Sequence, residues 1–89
     1  MIYEWHITCP HAEAEQVSAA CAKMKGVKYS AIVGDPIMGP ATFCYATGHA
    51  FDLSKATADL QNVAMFMRNE KITVLREKIE LIVYDSRSK

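Results

Sequence analysis

The order of hydrophobic periodicities along this chain predicts an α+β fold of the ferredoxin-like type, in which two helices cover one face of a four-stranded sheet. Apolar residues recur at three- and four-residue steps, as in amphipathic helices, along two segments, 10–25 and 52–69. They alternate with other residues, as in strands, along four segments: 1–9, 27–33, 41–49 and 72–85. Right-handed crossovers in this β-α-β-β-α-β order predict an antiparallel sheet with the spatial strand order 4-1-3-2.

Length and composition predict a single domain over residues 1–89, with residues 86–89 as a frayed tail. Hydrophobic residues make up 51% of the chain, which argues against disorder. Ten Lys and Arg residues balance ten Asp and Glu residues, so the net charge does not favour nucleic acid or an anionic membrane as a partner. No apolar run approaches the roughly 18 residues of a membrane helix, and we therefore expect a cytoplasmic protein.

The first strand and the first helix have clear boundaries and faces. Trp5 and Ile7 lie on an apolar strand face that we expect to meet the helices, whereas His6 falls on the opposite face. Pro10 suits the first turn of a helix, where a missing N–H costs nothing, and Gly26 suits a left-handed C-terminal cap. The predicted buried stripe of this helix consists of Ala14, Val17, Ala20, Cys21 and Met24.

The second and third strands are joined by residues 34–40, which contain two Gly and two Pro residues. Such a connection is long for a hairpin, and long loops on rigid sheets often bind ligands. The pattern of the third strand leaves two orientations open. Either Phe43 and Tyr45 or Cys44 and Ala46 face away from the helices.

The second helix has the strongest periodicity of the chain. Asp52 or Ser54 is suited to its N-cap. Its predicted buried stripe consists of Leu53, Ala56, Leu60, Val63, Ala64 and Met67.

The last strand is predicted to be longer than the first strand, with which it should pair. Pairing Ile2 with Tyr84 keeps the two apolar faces on the same side and places His6 opposite Glu80. The early part of the last strand, around Arg76, then extends beyond the first strand.

The predicted layout brings three segments together at one end of the sheet, which we call the hairpin end: the 34–40 loop, residues 8–11 and residues 68–71. Free N–H groups at a helix start and nearby basic side chains favour an anion there. The loop residues would cover an apolar part of the same ligand or accept a hydroxyl from it. The residues expected to bind a small anionic ligand are Thr8, His11, Asp35, Ile37, Met38, Arg68, Arg76 and Lys78.

The three cysteines, Cys9, Cys21 and Cys44, lack C-x-x-C spacing and are expected to be reduced, buried thiols. His6 and Cys9 are close in sequence, but they fall on opposite faces of one strand. They cannot share a metal ion, and we expect neither a metal site nor a cofactor.

These features favour a non-catalytic binding protein for a nucleotide or a phosphorylated compound. We expect a homodimer formed through the half-apolar sheet face that the helices leave open. His6-Ile7-Thr8 resembles half of the paired His-x-Thr/Ser arrangement of two-histidine phosphoesterases. That resemblance implies an alternative, phosphodiester or cyclic-nucleotide hydrolysis by His6 and Thr8 across a dimer. A third alternative is a protein-interaction or structural subunit.

Overall fold

The computed structural model describes residues 1–31 and 42–82. Its elements are β1 (Ile2–Pro10), α1 (Ala14–Ala22), β2 (Lys28–Ala31), β3 (Phe43–Ala50), α2 (Leu53–Asn69) and β4 (Arg76–Ile82). The strands form one antiparallel sheet in the order β2-β3-β1-β4, which confirms the predicted order 4-1-3-2 and the ferredoxin-like fold class. None of the described helices is long and apolar enough to cross a membrane.

The core lies between the sheet and the two helices. Trp5, Ile7 and Cys9 point into it from the central strand β1, as predicted. The α2 stripe is also buried, except for Leu53, which is 53% exposed. Leu53 lies at the first position of α2, just after Asp52, whose Oδ1 accepts a hydrogen bond from the backbone N–H of Lys55 at 2.7 Å.

The start of α1 differs from the prediction. β1 continues through Pro10, which is extended and lies opposite Phe43, and a 3-10 turn (His11–Glu13) comes before the helix. The N–H of His11 donates a hydrogen bond to the carbonyl oxygen of Thr42, just before β3, at 2.9 Å. Pro10 and His11, which were expected to begin the helix, are therefore held in pairing with the start of β3. Gly26 has the expected positive φ of 77°, in the turn that follows α1.

The pairing of β4 with β1 is shifted by two residues from the prediction. Ile2 lies opposite Ile82, and His6 lies opposite Lys78 instead of Glu80. A two-residue shift keeps every side chain on its predicted face, which is why the hydrophobic pattern could not detect it. β4 begins only at Arg76, which lies opposite Thr8 of β1. The prediction that Arg76 extends beyond the first strand is therefore wrong. Tyr84 and the predicted tail 86–89 lie outside the described residues.

The orientation of β3 resolves the alternative left open by the sequence. Cys44 and Ala46 are fully buried beneath the helices, so Phe43 and Tyr45 belong to the face that the helices leave open. Cys9, Cys21 and Cys44 are free cysteines in the described structure, and all three are buried, as predicted.

Candidate functional site

The sheet face without helices carries a groove with a volume of about 600 Å³, which we call the open-face groove. Directly opposed residues in an antiparallel pair share a face, so β1 and its neighbours β3 and β4 together supply most of the groove. Its lining residues are His6, Thr8, Ser30, Phe43, Tyr45, Thr47, Leu75, Arg76, Lys78 and Glu80.

One end of the groove combines aromatic and cationic side chains. Thr8 lies at the centre of this end, opposite Tyr45 on one neighbouring strand and opposite Arg76 on the other. Phe43 is 44% exposed beside them. Among the described residues, Arg76 makes no ion pair, while Lys78 makes only a 3.5 Å contact between its Nζ and Oε2 of Glu80. Both cations are therefore available to a ligand in the described part of the chain.

The other end of the face carries Glu4, His6, His49 and Glu80, which we call the histidine–glutamate cluster. Nε2 of His6 lies 2.9 Å from Oε1 of Glu4 and 3.0 Å from Oε1 of Glu80. Nε2 of His49 lies 2.6 Å from the other oxygen of Glu4, Oε2. These four side chains come from β1, β3 and β4, and only the sheet brings them together.

Both ring nitrogens of His6 have partners. An ionised carboxylate can only accept, so Nε2 carries the hydrogen that faces the two glutamates. Nδ1 lies 3.0 Å from Oγ1 of Thr47, whose hydroxyl can either donate or accept. The ring is thus fixed in orientation by contacts on two neighbouring strands.

The structure brings only some of the predicted site residues together. Thr8, Arg76 and Lys78 line the groove. His11 is exposed on the 3-10 turn, outside the residues that line the groove. Arg68 extends from α2 on the helix side and binds Oε2 of Glu77 at 2.9 Å. The remaining three predicted positions, Asp35, Ile37 and Met38, lie outside the described residues, and their role stays a prediction.

Glu4, Thr47 and His49 are not among the binding residues expected from the sequence. The spacing of Glu4 and His6 by two residues on a strand places them on one face, and this signal was present in the sequence. Thr47 and His49 could be added only once the register of β1 against β3 was known. They lie opposite His6 and Glu4, respectively.

A second, smaller cavity of about 370 Å³ lies beside Trp5 on the helix side of the sheet, where Val63 and Phe66 of α2 also line it. The indole N–H of Trp5 is buried and has no acceptor among the described residues. The indole ring packs directly over Gly48, its partner on β3.

Comparisons with known proteins give one similarity of fold. No family model matches this sequence, and no curated protein is significantly similar to it. A search of solved structures found the crystal structure of a Chloroflexus aurantiacus J-10-fl protein provisionally described as an antibiotic biosynthesis monooxygenase. The two chains align over 96% of each, with a TM-score of 0.50 and 15% sequence identity. At this identity the similarity concerns the fold alone, and it agrees with the ferredoxin-like α+β architecture.

Proposed function

We propose that this protein binds, without chemical conversion, a small anionic ligand with a flat apolar part, such as a nucleotide. The observation that carries the proposal is the placement of Phe43 and Tyr45 beside Arg76 and Lys78 in one groove. A volume of about 600 Å³ lies within the usual range of small-molecule sites.

The aromatic side chains supply the surface for the flat part of the ligand. Each base stacked on an aromatic ring contributes about 1–3 kcal/mol in single-strand binding proteins. Phe43 is partly exposed on the open face and Tyr45 is half-buried, so both can offer a ring face without first leaving the core. A nucleobase matches this surface better than a sugar does.

The cationic side chains supply the contact for the anion. The guanidinium of Arg76 can donate two parallel hydrogen bonds to a phosphate, and Lys78 adds a second charge two residues along the same strand. Glu4 and Glu80 lie toward the other end of the face, where they repel an anion. This polarity orients the phosphate toward Thr8, whose hydroxyl is a further donor.

Catalysis by His6 and Thr8, as a phosphodiester hydrolase, is the alternative. A general base needs a nitrogen lone pair directed at the proton that it removes. Nε2 of His6 instead faces two carboxylates, and Nδ1 is engaged by Thr47. These contacts support binding over turnover, and recovery of unchanged ligand after incubation would support it further.

Arg76→Ala is expected to weaken binding of a nucleoside monophosphate by about 1.5–3 kcal/mol, the value of a charge-assisted hydrogen bond. This corresponds to a loss of affinity of roughly ten- to 150-fold. The free energy of unfolding should change by less than about 0.5 kcal/mol, as at ordinary surface positions. Isothermal titration calorimetry with AMP, GMP and UMP, preceded by a thermal-shift screen, measures the first quantity, and urea unfolding measures the second.

Two comparisons make this test specific. Lys23→Ala removes an exposed cation that pairs with Glu70 away from the groove, and it should leave the affinity unchanged. Ribose 5-phosphate lacks the base and should bind the parent more weakly than the nucleotide does. The Phe43→Ala variant should bind the two ligands with similar affinity. If Arg76→Ala costs stability but no affinity, the groove is not the anion site.

We also propose that a second copy of the chain covers the open face, which would enclose the groove. Large apolar side chains remain exposed on that face, including Ile2, Phe43 and Ile82. A domain of this size gains stability when such a surface is buried.

A charge placed on the open face is expected to dissociate this dimer. Ile82→Glu introduces a carboxylate at a position that is 41% exposed on the open side of β4. Leu81→Glu is the matched control, because Leu81 is 44% exposed and lies next to Ile82 on the other side of the strand. Light scattering should show a dimer for the parent and the control and a monomer for Ile82→Glu. A monomeric parent at high micromolar concentration would contradict the assembly.

A further inference from the structure

We propose that Glu4, His6 and Glu80 form a binding site for a divalent transition metal ion of the Zn²⁺ type. Nε2 of His6 and one carboxylate oxygen from each glutamate lie within 4.8 Å of one another, and all three side chains are at least partly exposed. In a single chain an ion could therefore reach the three atoms without unfolding, before a second copy covers this face.

The separations of these atoms are close to those of a filled site. Zn²⁺ binds nitrogen and oxygen ligands at about 2.0–2.2 Å, which places the ligand atoms of a tetrahedron about 3.4 Å apart. The observed distances from Nε2 of His6 are 2.9 Å to Glu4 and 3.0 Å to Glu80. Small side-chain rotations on two partly exposed glutamates would open them to the required spacing.

The two opposed carboxylates of Glu4 and Glu80 favour a bound cation between them. Glu4 and Glu80 lie directly opposite each other on β1 and β4, and like charges in that position destabilise a sheet. The one hydrogen on Nε2 of His6 is shared between their two oxygens. A divalent ion between the carboxylates would remove the repulsion and bind both oxygens. Nε2 would bind the same ion in the other imidazole tautomer, in which the hydrogen lies on Nδ1 and is donated to the hydroxyl oxygen of Thr47.

Each of the three ligand side chains also has a contact on its outer atom. Nδ1 of His6 lies 3.0 Å from the hydroxyl of Thr47. Oε2 of Glu4 lies 2.6 Å from Nε2 of His49, and Oε2 of Glu80 lies 3.5 Å from Nζ of Lys78. Metal-binding histidines and carboxylates in proteins are held by outer partners of this kind, which orient the ligand atoms toward the ion.

The donor set selects the class of ion. One imidazole nitrogen and two carboxylate oxygens suit Zn²⁺ and its neighbours in the first transition row, whereas Ca²⁺ and Mg²⁺ prefer oxygen alone. Three protein ligands on this sheet face leave a further coordination position that water can fill, unlike the four protein ligands of a closed structural site. The inference goes beyond the proposed nucleotide site and does not depend on it.

The test is a titration of tag-free, EDTA-treated protein with Zn²⁺ and with Co²⁺ in the absence of any nucleotide. We expect one ion to bind per chain and to raise the melting temperature, since an ion that binds the native state stabilises it. His6→Gln and Glu80→Gln should each lower the affinity by about tenfold or more. His11→Gln and Glu15→Gln remove an exposed imidazole on the 3-10 turn and an exposed carboxylate on α1, and both variants should bind as the parent does.

The outcomes separate a metal site from an ion-pair network. A parent that binds no ion, or a His6→Gln variant that binds as tightly as His11→Gln, would overturn the proposal. Glu80→Gln changes a half-exposed side chain without altering its size. Its metal affinity can therefore be compared with that of Glu15→Gln even if His6→Gln does not fold. Nucleotide binding measured in EDTA tests the open-face groove without any metal ion. Failure of the nucleotide proposal can therefore be told apart from failure of the metal proposal.

Discussion

Gly48→Ala is expected to lower the free energy of unfolding by about 3 kcal/mol, at the upper end of the cost of overpacking a core. A Cβ atom at Gly48 would overlap Cζ2 and Cε2 of Trp5 and would lie 2.8 Å from its Nε1. Trp5 is only 2% exposed and is packed in the core, so its indole can move only toward the cavity that Val63 and Phe66 also line, at the cost of its present contacts. The two residues also pair across β1 and β3, so the backbone can shift only by disturbing the central strands. Urea unfolding followed by circular dichroism measures the loss.

The same substitution in a Trp5→Phe background shows whether the indole is the cause. Phenylalanine lacks the outer ring of the indole with Cζ2, the atom that would lie nearest the new Cβ, and it also removes a buried N–H without an acceptor among the described residues. The cost of Gly48→Ala should fall to about 1 kcal/mol there, which gives a coupling energy of about 2 kcal/mol in the double-mutant cycle. Equal costs in the two backgrounds would show that the strand backbone, and not Trp5, excludes the side chain.

The fold was predictable because periodicity and local signals agreed along most elements. Asp52 was recognisable as an N-cap, and α2 begins one residue later. The alternation of β1 assigned Trp5 to the core and His6 to the open face, and the structure agrees on both. The start of α1 was less predictable, because Pro10 is equally compatible with an extended strand end and with a first helical turn. The neighbouring strand decides between them.

The candidate site was less predictable than the fold, because it depends on register as well as on faces. A shift of β4 by two residues preserves the apolar pattern but changes which polar side chains meet. It places Arg76 beside Thr8, and it places Glu80 opposite Glu4. Neither pair could be derived from alternation. The pairing of Thr47 with His6 likewise depends on the register of β3 against β1, two strands that are not consecutive in the chain and share no hairpin.

The three buried thiols make the stability of this protein sensitive to alkali. Burial is the largest cause that raises the pKa of Cys9 from 9.0 to about 12, and the nearby Cys44 and Glu13 add to it. Burial also raises the pKa of Cys21 and of Cys44. In the unfolded chain each thiol ionises near its ordinary value, whereas the native core keeps the proton. Above that value the native state binds more protons than the unfolded state, so stability falls as the pH rises.

The free energy of unfolding is therefore expected to fall by about 1.4 kcal/mol per pH unit for Cys9 alone. The stabilisation is fully present below the ordinary thiol value of 9.0 and is lost as the pH rises toward about 12. Cys9→Ala is the matched control, because it leaves the other titrating groups in place and removes this one. Urea unfolding in reducing buffer, at a series of pH values across that window, should give a steeper decline for the parent than for Cys9→Ala. Parallel declines would mean that the Cys9 thiol ionises as readily in the native core as in the unfolded chain, which its complete burial against Cys44 and Ile7 argues against.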